Sequence, residues 1–268
     1  MDFRDAAARP QWFELYYPIL ARAQRGIPVV CAETPHDGGR FPPNPRYAIE
    51  RWNRCGWPIQ YSVCPSRADA LLEAARIAVH SGQVAVAAVS ALPLYGEKDG
   101  VPLHDGLVAV ALSLWQAGLI RTATILDFGT SESDMPAFGY EEFPWLRRFP
   151  IGEYFWLPYS ASSFFCGLRT FLRQCAADRP DLLIVRLAAR EIASGQDGFL
   201  KRTEYARRDR MVFEAAAGAD IPLMWCLGGW CNGSPLRYTV EVHNQTMREC
   251  VRVYAGAALR RQLSPTGE

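Results

Sequence analysis

The sequence predicts an α/β fold: a single-domain, three-layer parallel sheet with helices on both faces. Three observations carry that prediction. Short apolar runs rich in β-branched residues alternate with helix-period segments almost to the end of the chain, which is the pattern of βα units. The runs are continuous in apolar character rather than alternating, as in strands covered on both faces. No linker, repeat or low-complexity segment divides the 268 residues, a length at which one domain buries roughly three quarters of its unfolded surface. Residues 1–24 read as an N-terminal extension and 262–268 as a flexible tail.

Taken in order, strands are expected at Ile27–Cys31, Val84–Val89, Thr122–Asp127, Leu182–Leu187 and Pro222–Leu227, with further candidates at Ile59–Val63 and Tyr154–Leu157. Between them, Val108, Leu112 and Trp115 fall at i, i+4, i+7, and Phe164, Leu168, Phe171 and Leu172 at i, i+4, i+7, i+8. Each set makes one helical stripe directed at the core. Thr203 is placed to cap a helix from Glu204, Gly118 to end one near Ala117, and Pro180 to break one before the Leu182 strand. The stretch from Phe128 to Glu153 mixes glycines and prolines with aromatics and has no period. It reads as a long ordered loop.

Formal charges of 29 against 28 leave no electrostatic excess, so bulk nucleic-acid binding is not expected. No apolar stretch approaches the ~20 residues of a membrane span. The first residues, MDFRDAAARP, lack the apolar block of a signal peptide. A soluble, cytoplasmic protein with no membrane partner is expected. The eight cysteines are dispersed, contain no CxxC pair and read as reduced thiols. The four histidines, His36, His80, His104 and His243, are too far apart to supply local zinc-ligand spacing.

In a parallel sheet the ligand crevice lies outside the carboxyl ends of the strands, so the residues after Asp127, Leu187 and Leu227 are where chemistry is sought. Those stretches carry a resemblance. PDLLIVRLAAREIASGQDGFLKRTEYARRDRMVFEAAAGADIPLMWCLGGW is similar to the part of the histone deacetylase and acetylpolyamine amidohydrolase family in which a strand leads into A-G-F-D, then a helix, then a strand ending in G-G-Y. HDGGRFPPNPRYAIERWNRCG resembles the family's opening His-rich loop and first helix. GVPLHDGLVAVALSLWQAGLIRTATILDF resembles its G-F-C-x-x-N-N helix and D-x-D-x-H strand. The similarity runs in order from about His36 to Val253 and implies the arginase–deacetylase fold.

The resemblance also implies a zinc site, held in the family by an Asp and a His of D-x-D-x-H and by the Asp of A-G-F-D. Here those places fall on Gly129, Ser131 and Arg190. The paired catalytic histidines fall near Leu94 and Tyr95, and the transition-state tyrosine falls at Trp230. Zinc needs three or four N, S or O ligands, and indole has a single donor with no practical acidity. The zinc site is therefore expected to be lost, with no cofactor. The first Asp of the motif is retained as Asp127, which in the family serves a structural potassium site and strand-end hydrogen bonds.

Two functions follow as expectations, beside a third reading in which the chain is a conventional zinc deacetylase whose ligands lie at other residues. One is a pseudoenzyme that uses the residual crevice, or the aromatic loop 128–153, to bind a small anionic or acyl ligand or a protein partner. Its candidate ligand-binding residues are Asp105, Asp127, Ser131, Arg190 and Trp230. The other is a metal-independent enzyme acting on an acyl or amide substrate, with Arg190 as oxyanion clamp, His104 as base and Cys231 as nucleophile. Each candidate has a plainer role. Arg190 can pair internally with Asp127 or Glu191, Asp105 can cap the helix from Leu107, and a lone thiol is usually inert. The loop aromatics can serve their own packing.

Overall fold

A computed structural model describes residues 26–32, 46–57, 59–90, 97–98, 101–102, 106–128, 143–150, 161–188, 200–228 and 236–263. Seven strands form one sheet: β1 (Ile27–Ala32), β2 (Ile59–Cys64), β3 (Val84–Ser90), β6 (Ala123–Asp127), β7 (Leu146–Pro150), β8 (Leu182–Ala188) and β9 (Leu223–Gly228). Their order is β2-β1-β3-β9-β8-β6-β7, and every pairing is parallel. A separate antiparallel pair joins β4 (Glu97–Lys98) to β5 (Val101–Pro102). Six helices are described: α1 (Arg46–Arg54), α2 (Arg67–Ser81), α3 (Gly106–Gln116), α4 (Ala161–Asp178), α5 (Arg202–Gly218) and α6 (Leu236–Leu263).

The period of two along each strand divides the interior into two cores. On the first face Leu183, Val185 and Leu187 of β8 and Leu223, Trp225 and Leu227 of β9 meet α1, α4, α5 and α6 through residues such as Trp52, Leu168, Phe213 and Met247. On the second face Leu182 and Ile184 of β8 and Met224 and Cys226 of β9 meet α2 and α3. Four buried alanines, Ala70, Ala74, Ala75 and Ala78, let α2 lie close to the sheet. These are the expected three layers, and each continuous apolar run is a strand whose alternate residues serve opposite cores.

Local stops follow familiar chemistry. Ser66 caps α2 by accepting the Asp69 backbone N–H at 3.1 Å. Gly82 (φ +64°) ends that helix in the left-handed region, where a Cβ would be strained. Gly118 (φ +69°) does the same after α3, as expected. Pro180 follows α4 as the sequence predicts.

Three local expectations differ, and one element was not foreseen. Leu146–Pro150 is not loop but the edge strand β7, hydrogen-bonded to β6. Its LRRFP sequence lacks alternation, because an edge strand does not have to be apolar on both sides. The hairpin of β4 and β5 carries no periodic signal at two residues per strand. Helix α5 begins at Arg202, ahead of Thr203, and its first turn is closed by Glu204 Oε2, which accepts the Lys201 backbone N–H at 2.6 Å. Trp115 leaves the α3 stripe: it is 42% exposed and stacks on Trp145 at 5.0 Å between centroids. The second-face core takes Leu107, Val110, Ala111 and Leu114 from this helix, and Leu114 rather than Trp115 fills its last turn. The expected strand at 154–157 lies outside the described residues.

Candidate functional site

Strand order selects one place on the sheet. From β6 the chain moves outward to β7, whereas from β8 it moves inward to β9. Connections that diverge from two neighbouring strands open a crevice at their carboxyl ends. At the β6/β8 boundary, Asp127 and Arg186 are register partners, so both side chains lie on the same face, the one that Ile125 and Ile184 share.

The two form a bidentate ion pair. Arg186 Nε donates to Asp127 Oδ1 at 2.7 Å and Nη2 donates to Oδ2. The Asp127 side chain is fully buried and that of Arg186 is 13% exposed. A planar guanidinium matches a carboxylate in this way and neutralises a charge that would be costly alone. The Phe128 backbone N–H donates to Arg186 O at 3.1 Å and extends the ladder past the carboxyl group.

A second arginine supports the same strand end from the opposite face. The Arg208 guanidinium carbon of α5 lies 4.5 Å from the Phe128 ring centroid and 4.8 Å from that of Tyr205. Its Nε donates to Asp209 Oδ1 at 2.7 Å, and Thr246 of α6 bonds Asp209 Oδ2 at 2.6 Å. Burial pushes the Asp209 carboxyl above the ordinary carboxylate value, and the Arg208 charge and Thr246 hydroxyl oppose that rise. The end of β6 is thus held between two Arg–Asp pairs, one in each core.

Of the candidate ligand-binding and catalytic residues, Asp127 lies within the described residues, and it pairs with Arg186. His104, Asp105, Ser131, Arg190, Trp230 and Cys231 lie outside the described residues, as do Gly129 and His36. His80 and His243 are on helices α2 and α6, the first exposed and the second buried. Four loop aromatics are described, and all pack internally. Phe128 meets Phe164 at 6.3 Å, Phe149 meets Phe171 at 4.4 Å, and Phe143 and Trp145 meet each other at 5.8 Å.

The seven described cysteines are free thiols. Burial pushes Cys31 and Cys175 up to about 11 and raises Cys250 further. These three are packing thiols rather than nucleophiles.

Arg186 and Arg208 were missed in the sequence, although one signal was present. Arg186 interrupts the apolar run LLIVRLA, and a charge in a doubly covered strand needs a partner.

The resemblance implies a zinc ion near this strand end, and its ligand places, 129, 131 and 190, lie outside the described residues. Among the described residues no three His, Cys, Asp or Glu side chains converge. The strand-end carboxylate is already paired with a guanidinium, whose positive charge repels a cation.

Comparison with solved structures places the fold. The chain superposes on the crystal structure of the HDA15 HD domain with TM-score 0.51 and 15% identity, over 88% of this chain and 92% of that one. It superposes on the histone deacetylase Clr3 with TM-score 0.53 and 13% identity, over 85% of this chain and 53% of that one. An acetylpolyamine aminohydrolase from Burkholderia pseudomallei aligns at TM-score 0.49 and 13% identity, over 76% of this chain and 63% of that one. No protein-family model and no curated protein matches the sequence. The chain has the histone deacetylase fold, an all-parallel seven-stranded α/β sheet. No described helix is long and apolar enough to cross a membrane.

Proposed function

We propose that this chain is a binding protein built on the deacetylase fold, a pseudoenzyme whose strand-end crevice takes a small anionic or acyl ligand without zinc hydrolysis. The observation that carries this reading is the Asp127–Arg186 pair, which places a guanidinium at the strand end beside the carboxylate that the resemblance retains there. The residue types at the remaining ligand places of the resemblance, Gly129, Ser131 and Arg190, point the same way, since two contribute no strong zinc donor and the third is a cation. A guanidinium-rich strand end favours an acidic ligand over a metal. Fold likeness supplies no activity by itself.

The test is elemental analysis of protein dialysed against excess zinc and then against buffer, together with turnover of an acetyl-lysine peptide. The expected result is substoichiometric zinc and no deacetylation above background. Retention of one zinc per chain with turnover that a chelator abolishes overturns the proposal.

A further inference from the structure

Helices α4 and α5 follow β7 and β8, so their amino-terminal halves lie at the carboxyl end of the sheet, on the side of the crevice. Between those halves is a cleft of about 330 Å³, within the size range of small-ligand sites. Phe165 and Ser162 line it from α4, with Cys166 and Arg169 one turn further on. Glu204 and Arg207 line it from α5. Phe165 is buried, and the Arg207 guanidinium is held over its ring at 4.2 Å, so that cation is positioned by an aromatic face rather than by a carboxylate. Glu204 is turned toward its own helix start, where it accepts the Lys201 N–H. Neither Arg169 nor Arg207 forms an ion pair with a described carboxylate. Most other arginines of the sheet-end and helix interfaces, such as Arg147, Arg186 and Arg210, do.

We infer that the α4/α5 cleft is an oxyanion site, in which Arg169 and Arg207 together hold the carboxylate or phosphate group of a small ligand beside the Cys166 thiol. Two guanidinium groups on opposite walls supply charge-assisted donors at a spacing set by helix packing. The cleft is separate from the Asp127–Arg186 pair and stands or falls independently of the pseudoenzyme reading.

Cys166 is exposed and serves as a built-in reporter. The full-length protein is reacted at low ionic strength with a dianionic aromatic disulfide, 5,5′-dithiobis(2-nitrobenzoate), and in parallel with the neutral 4,4′-dithiodipyridine. Labelling at Cys166 is located by peptide mass mapping, and Cys166→Ser is the blank. In each case the Cys166 thiolate attacks one sulfur, forms the mixed disulfide and expels the other half as a thiolate or thione.

With the site present, the combined Arg169→Gln and Arg207→Gln variant loses about tenfold in rate toward the anionic reagent and little toward the neutral one. Inorganic phosphate slows the anionic reaction of the wild type more than chloride does at equal ionic strength. Two results overturn the inference. One is an equal loss toward both reagents. The other is phosphate inhibition no greater than that of chloride, which is general screening. A thermal unfolding scan of the double variant confirms that it remains folded. Arg169→Lys with Arg207→Lys, which keeps the charge, should restore most of the anionic rate.

Discussion

The two Arg–Asp pairs that hold the end of β6 are chemically alike and differently placed. Arg208 and Asp209 are 1% and 0% exposed and belong to the first-face core, where Thr246 of a third segment completes the network. Arg186 and Asp127 are 13% and 0% exposed, and the guanidinium reaches the crevice side of the sheet. A third pair, Arg121 with Asp181 at the amino ends of β6 and β8, is 91% and 29% exposed. The same ionic chemistry thus occurs at three depths. Depth decides what each pair contributes, because water compensates a broken exposed pair and cannot reach a buried one.

The largest effect is expected where water is most excluded. Arg208→Ala leaves the Asp209 charge buried and should cost about 3–5 kcal/mol, read from the midpoint of urea unfolding. Replacing both partners by apolar residues, Arg208→Met with Asp209→Leu, should recover much of that loss. If the double variant is no better than the single one, the network specifies packing as well as charge balance.

At the strand end, Arg186→Ala removes the guanidinium that holds Asp127 from the neighbouring strand and should cost about 2–4 kcal/mol, less than the core pair because Arg186 is already partly in contact with solvent. Adding Asp127→Asn to that variant should restore stability, which denaturant titration of the two variants will reveal.

The exposed pair provides the pH-dependent case. Burial raises the Asp181 carboxyl, but the backbone N–H groups of Arg121 and Thr122, which donate to Oδ2 at 2.7 and 3.1 Å, and the Arg121 side chain together outweigh it. The net direction is downward. A carboxyl whose folded value is lowered contributes stability that is fully present above its unfolded value near ~4 and is lost as pH falls through the folded value. Asp181→Ala should therefore cost about 1 kcal/mol at neutral pH, and the gap between variant and wild type should narrow below pH ~4.

The smallest effect adjoins this pair. Arg179 and Asp220 adopt φ of +47° and +54°, conformations that non-glycine residues rarely favour. Arg179→Gly should change stability by no more than about 1 kcal/mol, with relief of strain set against the added freedom of the unfolded chain. A shift of thermal midpoint toward higher temperature identifies strain as the larger of the two.

Legibility followed the range of the interactions. The apolar runs at Ile27, Val84, Leu182 and Leu223 were readable because a strand buried on both faces has to be apolar at every position. The edge strand β7 was not, since Arg147 is exposed there and obeys no burial requirement. The α3 stripe failed at Trp115 for a related reason: the core at that end of the helix is filled by its neighbour Leu114, and Trp115 lies to the side of it. At the site, Asp127 was legible through the resemblance. Arg186 was visible as a charge without a partner, but nothing in the local sequence named Asp127 as that partner.

What the sequence by itself determined is the alternation of βα units, the two-sided burial of the sheet and most helix ends, because these depend on periodicity and on the backbone preferences of Gly, Pro and Ser. What only the tertiary structure decided is which charges meet. Asp127 and Arg186 are 59 positions apart and pair because β6 lies beside β8 in one register. Asp209 reaches Thr246 because α5 packs on α6, and Arg169 and Arg207 line one cleft because α4 and α5 are neighbours. Strand order and helix packing minimise the free energy of the whole chain, so a pairing that depends on them has no local signature.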